Sequence, residues 1–417
     1  MSIKSAIRSH VPPSWINERN RIRDSKRIKA SVSVLPKRVS DGRARGGIRF
    51  FADTESGTGL SNGAAMLWDM LETSDVESIH IEINKNGECI IPDEEQFKDD
   101  SWLINLFVVQ PPVWPIVSSK LSSEVFDGKI NIGFWLWETP EIPEEWIPLC
   151  AWFDEIWTPS SFVTDAVRKV SDRPVRTLRF GLNPAKAESV SENDRLQLRE
   201  KYNIAADALV HLVMFDGRSG FERKNPEGAI KAYTMAYPVE KENTWLIVKA
   251  KCADKKQMKL LRSLLKDYKN VVWIEELMSR HETDALIASS DILLSLHRAE
   301  GFGLPIAEAM QLGCVAVATD YSSTTEFVSD DGAVAIPCTL TKISHDVTAY
   351  RKGTVWAEPD IEAAAEAIKH LGENEEYRIT KGQRAKTAVY EKLSFEEGAR
   401  LFEEYERELN ENHCKTT

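Results

Sequence analysis

From about residue 47 onward, short apolar runs alternate with longer segments of mixed polarity. Runs at Ile48–Phe51, Ser78–Ile83, Ile104–Val109, Ile130–Trp135, Glu155–Trp157 and Val175–Leu178 have the length and content of buried strands. A second series follows at Leu209–Phe215, Trp245–Val248, Val271–Ile274, Ile292–Leu296, Val315–Thr319 and Ala333–Ile336. Between them, Ser61–Leu71, Ser161–Val170, Pro226–Ala236, Lys255–Lys266 and His281–Ala288 are of helix length. Strands that alternate with helices predict parallel α/β sheets, and two series of similar length predict two doubly wound domains. The rhythm breaks near Asn183–Asp194, where Asn-Pro and a Ser/Glu/Asn stretch interrupt it. A last helix is predicted from Ser394, because Ser394-x-x-Glu397 has the form of a capping box. Phe395, Leu401, Phe402, Tyr405 and Leu409 then recur at near-helical spacing. The expected division is an extension over 1–46, a first domain over 47–183, a second over 184–393 and a final helix over 394–417.

Composition narrows the class. A chain of 417 residues with 42 % hydrophobic content can bury a sizeable core and is not disordered. No run approaches the roughly 18–20 apolar residues of a membrane span. Met1-Ser2-Ile3-Lys4 is not followed by the apolar core of a secretory signal. The six cysteines are scattered with no Cys-x-x-Cys, which predicts reduced thiols, a cytoplasmic setting and no zinc site. The net charge is −12, but residues 1–50 carry 13 Lys/Arg against 3 Asp/Glu. That basic stretch suits an anionic membrane surface, or else a solvated helix packed on the first domain. Nucleic acid is not an expected partner, since the remainder of the chain is acidic and would repel phosphate.

Candidate chemistry concentrates in residues 291–326. Asp291-Ile-Leu-Leu-Ser-Leu-His297-Arg298-Ala-Glu300-Gly301-Phe302-Gly303-Leu304-Pro305-Ile-Ala-Glu308 reads as a buried strand, a glycine loop and a helix. Pro305 suits a first helical turn, where its missing N–H is unpaired anyway. Gly301 and Gly303 allow close approach of the backbone and expose N–H groups ahead of a helix N-terminus, a ready anion site. Glu300 at the strand end and Glu308 in the first turn can accept hydrogen bonds from hydroxyl pairs, such as those of a ribose and a hexose. In doubly wound sheets, ligands bind at the carboxyl ends of strands, where this loop falls.

The Glu300-x7-Glu308 spacing within Glu-Gly-Phe-Gly-Leu-Pro-x-x-Glu-Ala-Met resembles retaining glycosyltransferases of family four. The longer Ser-Leu-His-Arg-x-Glu-Gly-Phe-Gly-Leu is similar to a branch that builds bacterial cell-surface polysaccharides. Three further segments resemble that branch. They are Asn131-Ile-Gly133-Phe134-Trp135-Leu-Trp137-Glu138, continuing to Asp154-Glu155-Ile156-Trp157-x-Pro159-Ser160; Phe215-Asp216-x-x-Ser219-x-x-x-Arg223-Lys224-Asn225-Pro226; and Trp356-Ala-Glu358-Pro359-Asp360.

The resemblance implies the GT-B architecture, two Rossmann-like domains around a cleft. It implies transfer of a sugar from a UDP- or GDP-linked donor to a glycan or lipid-linked acceptor, with retention and without a metal or other cofactor. Glu308 would bind the ribose and Glu300 would face the donor sugar, while amides at Phe302, Gly303 and Leu304 hold sugar and diphosphate. The family pairs an Arg and a Lys five residues apart; Lys224 matches, but Ser219 stands at the Arg position, so Arg218 or Arg223 must substitute. Gly57-Thr58-Gly59-Leu60 resembles the first-domain glycine loop. Asn105, Gln110 or Glu138 could fill the role of the family's first-domain histidine, with Glu138, read as ending a strand, preferred; His80 reads as structural. His297 is expected to line the cleft, and one or two of the five tryptophans between Trp135 and Trp157 to face the acceptor. With the cysteine usage and the basic stretch over 1–46, the expected location is the cytoplasm, at the inner face of the plasma membrane where that stretch meets anionic lipid. An epimerase or phosphorylase on the same fold, or a non-catalytic relative, are the alternatives.

Overall fold

The computed structural model describes residues 13–37, 46–93, 95, 97 and 102–416. The chain divides into two compact units. One holds the residues up to Gly181 with Ile343–Thr354 and Glu396–Thr417; the other holds Leu182–Lys342 and Val355–Phe395.

The first unit begins with helix α1 (Pro13–Ser31), followed by β1 (Gly46–Ala52), α2 (Gly59–Thr73), β2 (Ser78–Ile83) and β3 (Cys89–Ile90). Then come β4 (Trp102–Val108), β5 (Ile130–Phe134), β6 (Glu155–Thr158), α3 (Ser161–Arg168) and β7 (Val175–Thr177). The sheet order is β3-β2-β1-β4-β5-β6-β7, parallel except for the antiparallel β2–β3 pair. Every residue of β1, β4 and β5 is buried, which is why these strands read as nearly continuous apolar runs.

The polar exceptions in those strands have a purpose. The register sets Arg49, Asn105 and Asn131 side by side on β1, β4 and β5. Arg49 Nε donates to Asn105 Oδ1 at 2.8 Å, and Asn105 Nδ2 donates to Asn131 Oδ1 at 2.8 Å. Arg49 also donates to the carbonyls of Val125 and Phe97. Asn105, which the sequence offered as a site residue, is thus a buried stitch across three strands. The five tryptophans 135, 137, 146, 152 and 157 are all at most 6 % exposed. They fill the core, contrary to the expectation that one or two face an acceptor. Gly133 is part of that packing, since a Cβ there would meet Trp135 Nε1 at 2.9 Å and the Phe153 ring at 3.1 Å.

The second unit contains α4 (Glu192–Lys201), β8 (Leu209–Asp216), α5 (Pro226–Ala236), β9 (Thr244–Lys251), α6 (Lys255–Leu264), β10 (Val271–Ile274) and α7 (Arg280–Ala288). It continues with β11 (Ile292–Ser295), α8 (Leu304–Gln311), β12 (Val315–Thr319), β13 (Ala333–Ile336), β14 (Cys338–Lys342), β15 (Val355–Pro359), α9 (Ile361–Glu373) and α10 (Glu375–Lys392). Strands β8–β13 form a parallel sheet in the order β10-β9-β8-β11-β12-β13, so the order reverses between β8 and β11. Helix α11 (Phe395–Thr416) belongs to the first unit from Glu396 onward. There Glu406 Oε1 accepts from Gly47 N at 3.1 Å, and Arg176 joins Glu155 of β6 to Glu408.

Two local features differ from the expectation. The interrupted stretch at Asn183–Asp194, which follows directly on the division between the units at Gly181 and Leu182, is largely helical: Asn183 caps a turn at Pro184–Glu188, and Ser191 with Asp194 forms the capping box that starts α4. The residues that looked like a break are helix-starting residues. The antiparallel β14–β15 pair was not expected, because Trp356-Ala-Glu358 carries too short a pattern to announce a strand.

Asn105→Leu leaves the buried Arg49 guanidinium short of an acceptor. It is expected to lower stability in chemical denaturation by about 3 kcal/mol. A loss below about 1 kcal/mol would mean that the Phe97 and Val125 carbonyls suffice.

Candidate functional site

In the second unit, the ends of β8 and β11 release two loops at the point where strand order reverses, the place where doubly wound sheets bind ligands. A recess there is lined by Phe215, Lys224, Ser295, Glu300, Gly303 and Pro305.

The loop after β8 makes a short turn, Phe221–Lys224, that ends at Asn225 in the left-handed region with φ 50°. Asn tolerates that conformation better than most residues. Its side chain works in both directions, since Nδ2 donates to Leu296 O at 2.8 Å and Oδ1 accepts from Gly228 N at the start of α5. The Arg223-Lys224-Asn225-Pro226 motif is therefore a cap that fixes two cations beside the end of β11.

Those cations meet Glu300. Lys224 Nζ lies 2.6 Å from Glu300 Oε1, and Arg223 Nη1 lies 3.1 Å from Oε2. Arg223 is 2 % exposed, and it also donates to the carbonyls of Ser219 and Ala299. Burial pushes the Glu300 carboxyl up, but Lys224 and Arg223 overturn that and hold it down to about 2. The loop itself is pinned, since Glu300 N donates to Ser322 Oγ at 2.8 Å and Ser322 adopts φ 67°. Gly303 has φ 97°, and a Cβ there would meet Thr324 Cγ2 at 2.5 Å, so both conformation and space require glycine. Gly301 and Phe302 are buried in the same loop, with Phe302 packed on Phe327.

Helix α8 starts at Leu304 with Pro305 in its first turn, as the sequence implies. Glu308 falls in the second turn rather than the first. It is 5 % exposed, and Arg280 Nη1 reaches its Oε1 at 2.6 Å. Arg280, at the start of α7, also pairs with Asp284. Burial nonetheless keeps the Glu308 carboxyl above its usual range. Its Oε2 has no hydrogen-bond partner among the described residues.

Of the two candidates to replace the family Arg, the structure brings Arg223 to Glu300. Arg218 is exposed and engaged by Asp216 at 2.8 Å. Ser219 is exposed as well, with its hydroxyl on the Asp216 carbonyl. His297 does not line an opening. It is fully buried, with Nδ1 against Ser295 O and Nε2 against Tyr321 O, and burial lowers its pKa. It stands behind Glu300 as a structural histidine.

The remaining candidates lie in the first unit. Gly57, with φ 63°, and Gly59 flank Thr58, the N-cap of α2, at the carboxyl end of β1. A Cβ on Gly59 would meet nothing within 4 Å, so internal packing does not demand glycine there. Glu138 does not end a strand; β5 stops at Phe134, and Glu138 is half-buried in the loop beyond. Gln110 Oε1, two residues past β4, is buried without a partner among the described residues. His80 stacks on Trp68 at 5.0 Å and is structural, as expected.

Sequence reasoning missed Arg280, Asp284, Ser322 and the pairing of Arg298 with Glu358. Arg298 meets both Glu358 oxygens at 2.7 Å, lies over the Trp356 ring, and bonds the carbonyls of Glu222 and, through its N–H, Arg223. The Trp356-Ala-Glu358 motif thus clamps the turn that carries the cations. The capping box Ser279-x-x-Glu282 was the one readable signal near Arg280.

Lys224→Met removes the nearer cation from Glu300, whose pKa then rises under burial. In the native protein Glu300 is ionised at both pH 5 and pH 7.5, so its stabilising contribution fades only between about 4.5 and 2. In the variant the buried carboxylate is costly at pH 7.5 and partly relieved by protonation at pH 5. The melting-temperature gap between the two proteins is therefore expected to be wider at pH 7.5, by about 1–3 kcal/mol equivalent. A gap independent of pH would contradict the geometry.

Residues 197–388 match the family described as "Glycosyl transferases group 1". No curated protein matches the sequence. Among solved structures, Anabaena Alr3699/HepE in complex with UDP and glucose is similar at 12 % identity and TM-score 0.62, over 86 % of this chain and 99 % of that one. Sucrose-phosphate synthase from Thermosynechococcus elongatus is similar at 16 % identity and TM-score 0.60, over 88 % and 99 %. WaaG, a glycosyltransferase involved in lipopolysaccharide biosynthesis, is similar at 13 % identity and TM-score 0.57, over 84 % and 98 %. The second unit is thus similar to group 1 glycosyltransferases over residues 197–388, and the chain as a whole has the GT-B fold of two Rossmann-like domains.

Proposed function

We propose that the protein is a retaining, metal-independent glycosyltransferase that moves a sugar from a nucleotide sugar to a glycan or lipid-linked acceptor, in the assembly of a cell-surface polysaccharide. The observation that carries glycosyl transfer is the Lys224–Glu300–Arg223 cluster in front of the α8 N-terminus, within the residues that match the group 1 family. Retention and the polysaccharide setting rest on the motif resemblance.

Each part of the cluster has a task in that reading. The α8 N-terminus and the glycine loop attract the donor diphosphate. Lys224 balances the charge that grows on the diphosphate as the glycosidic bond breaks. Glu300, held ionised by its neighbours, accepts hydrogen bonds from hydroxyls of the donor sugar. Glu308 offers Oε2 to the ribose, while Arg280 keeps the carboxylate oriented through Oε1. UDP or GDP is the proposed carrier, and HepE, solved with UDP, favours UDP. Gly57, Gly59 and Glu138 are assigned to the first unit's share of donor and acceptor binding.

A thermal-shift series with UDP, GDP, ADP and their glucose conjugates tests the donor site. One nucleotide class at about 100 times its Kd is expected to stabilise the protein by about 2.7 kcal/mol. Glu308→Ala is expected to abolish that shift. No shift with any nucleotide at millimolar concentration would overturn the reading. With the matching donor, Lys224→Ala is expected to slow sugar release to acceptor by about 100- to 1,000-fold. Binding without turnover under every acceptor condition would instead favour the non-catalytic relative.

A further inference from the structure

Helix α1 is fastened to the first unit by one face. Ile28 is fully buried, and Arg21 reaches Asp346 at 2.9 Å and Glu18 at 3.3 Å. The helix rests against the turns at Trp114–Ser118 and Ile147–Ala151.

The opposite face is built differently. At about 100° per residue, Arg19, Ile22, Arg23, Lys26, Arg27 and Lys29 fall within an arc of about 160°. All six are exposed. Arg23 pairs only with its neighbour Asp24, at 3.0 Å. Arg19, Lys26, Arg27 and Lys29 have no acidic partner among the described residues. This is unexpected on a chain of net charge −12, where carboxylates are plentiful. Three aliphatic side chains accompany the cations: Ile22 is 48 % exposed and, just past the helix, Val34 is 76 % and Leu35 46 % exposed.

We propose that this outward face of α1, with Val34 and Leu35, is a docking surface for a bilayer that contains anionic phospholipids. The cations match headgroup phosphates, and the aliphatic side chains enter the boundary between headgroups and acyl chains. Nucleic acid would answer the cations but leave the exposed aliphatic side chains of Ile22, Val34 and Leu35 unexplained. The surface stands independently of the donor-site reading. Among the described residues no helix is long and apolar enough to cross a membrane, so the contact is peripheral.

Flotation of the full chain with vesicles tests it, using phosphatidylcholine alone and phosphatidylcholine with phosphatidylglycerol, at about 150 mM salt. Flotation only with the anionic vesicles, weakened by added salt, is expected. Reversing Arg19, Lys26, Arg27 and Lys29 to Glu is expected to lower partitioning on the order of 100-fold. Its melting temperature and nucleotide response should not change. Val34→Ser with Leu35→Ser, which leaves every charge in place, is expected to weaken binding as well. Equal flotation with both vesicle types, or with neither, would overturn the proposal. So would retention of an RNA or DNA duplex by the native chain that the charge-reversed variant loses, with no vesicle binding by either.

Discussion

A carboxylate buried between two cations organises the second unit. An ion pair taken out of water returns little net stability, because desolvation cancels much of the attraction. Glu300 therefore has to be explained by what it does at the edge of the sheet. The cost is contained by geometry: Arg223 is tied to the carbonyls of Ser219 and Ala299 as well as to Glu300, and Arg298 braces the turn from behind. Arg298 is in turn gripped by Glu358 and covered by Trp356. The chain of restraint runs from an antiparallel strand pair at the sheet's margin to the Nζ atom of Lys224.

The two glutamates of the loop and helix are eight positions apart, and their surroundings shift their carboxyls in opposite directions. Glu300 has two cations and is held far below the usual carboxylate range. Glu308 has one, shared with Asp284, and burial prevails. The first is a fixed anion at any physiological pH. The second is poised to gain from additional hydrogen-bond donors, such as a vicinal diol. Like residues are thus set to unlike tasks by what packs around them.

Most of this was readable from the chain, and the failures share a cause. Buried strands announce themselves as apolar runs and half-buried ones by alternation, so β2, β10, β12 and β13 have the bounds their pattern suggests. The glycine loop was readable because Gly303 and Pro305 each do what only that residue does well. What stayed hidden depends on partners distant in sequence. Nothing near Asn105 announces Arg49 or Asn131; only strand register brings them together. His297 was expected to line the cleft because histidine in a loop motif usually invites that reading, yet it is fully buried, with Nδ1 beside the Ser295 carbonyl and Nε2 beside the Thr324 hydroxyl. The tryptophans between residues 135 and 157 looked like sugar platforms and proved to be core. Arg280 carried no motif, although it holds the carboxylate that the motif does identify.

The covalent path through the two units has its own consequence. Ile343–Thr354 and Glu396–Thr417 rejoin the first unit after the chain has entered the second, so the backbone passes between them four times. Glu406 and Glu408 supply partners to Gly47 and Arg176, residues made far earlier. During synthesis, where amino-terminal domains generally fold first, the residues of the second unit are here complete before those of the first. The second unit has all its residues once Phe395 has left the ribosome, whereas the first waits for the last helix. A nascent chain halted before that helix would leave Trp157 of β6 without the Phe402 and Tyr405 rings, and Arg176 without Glu408.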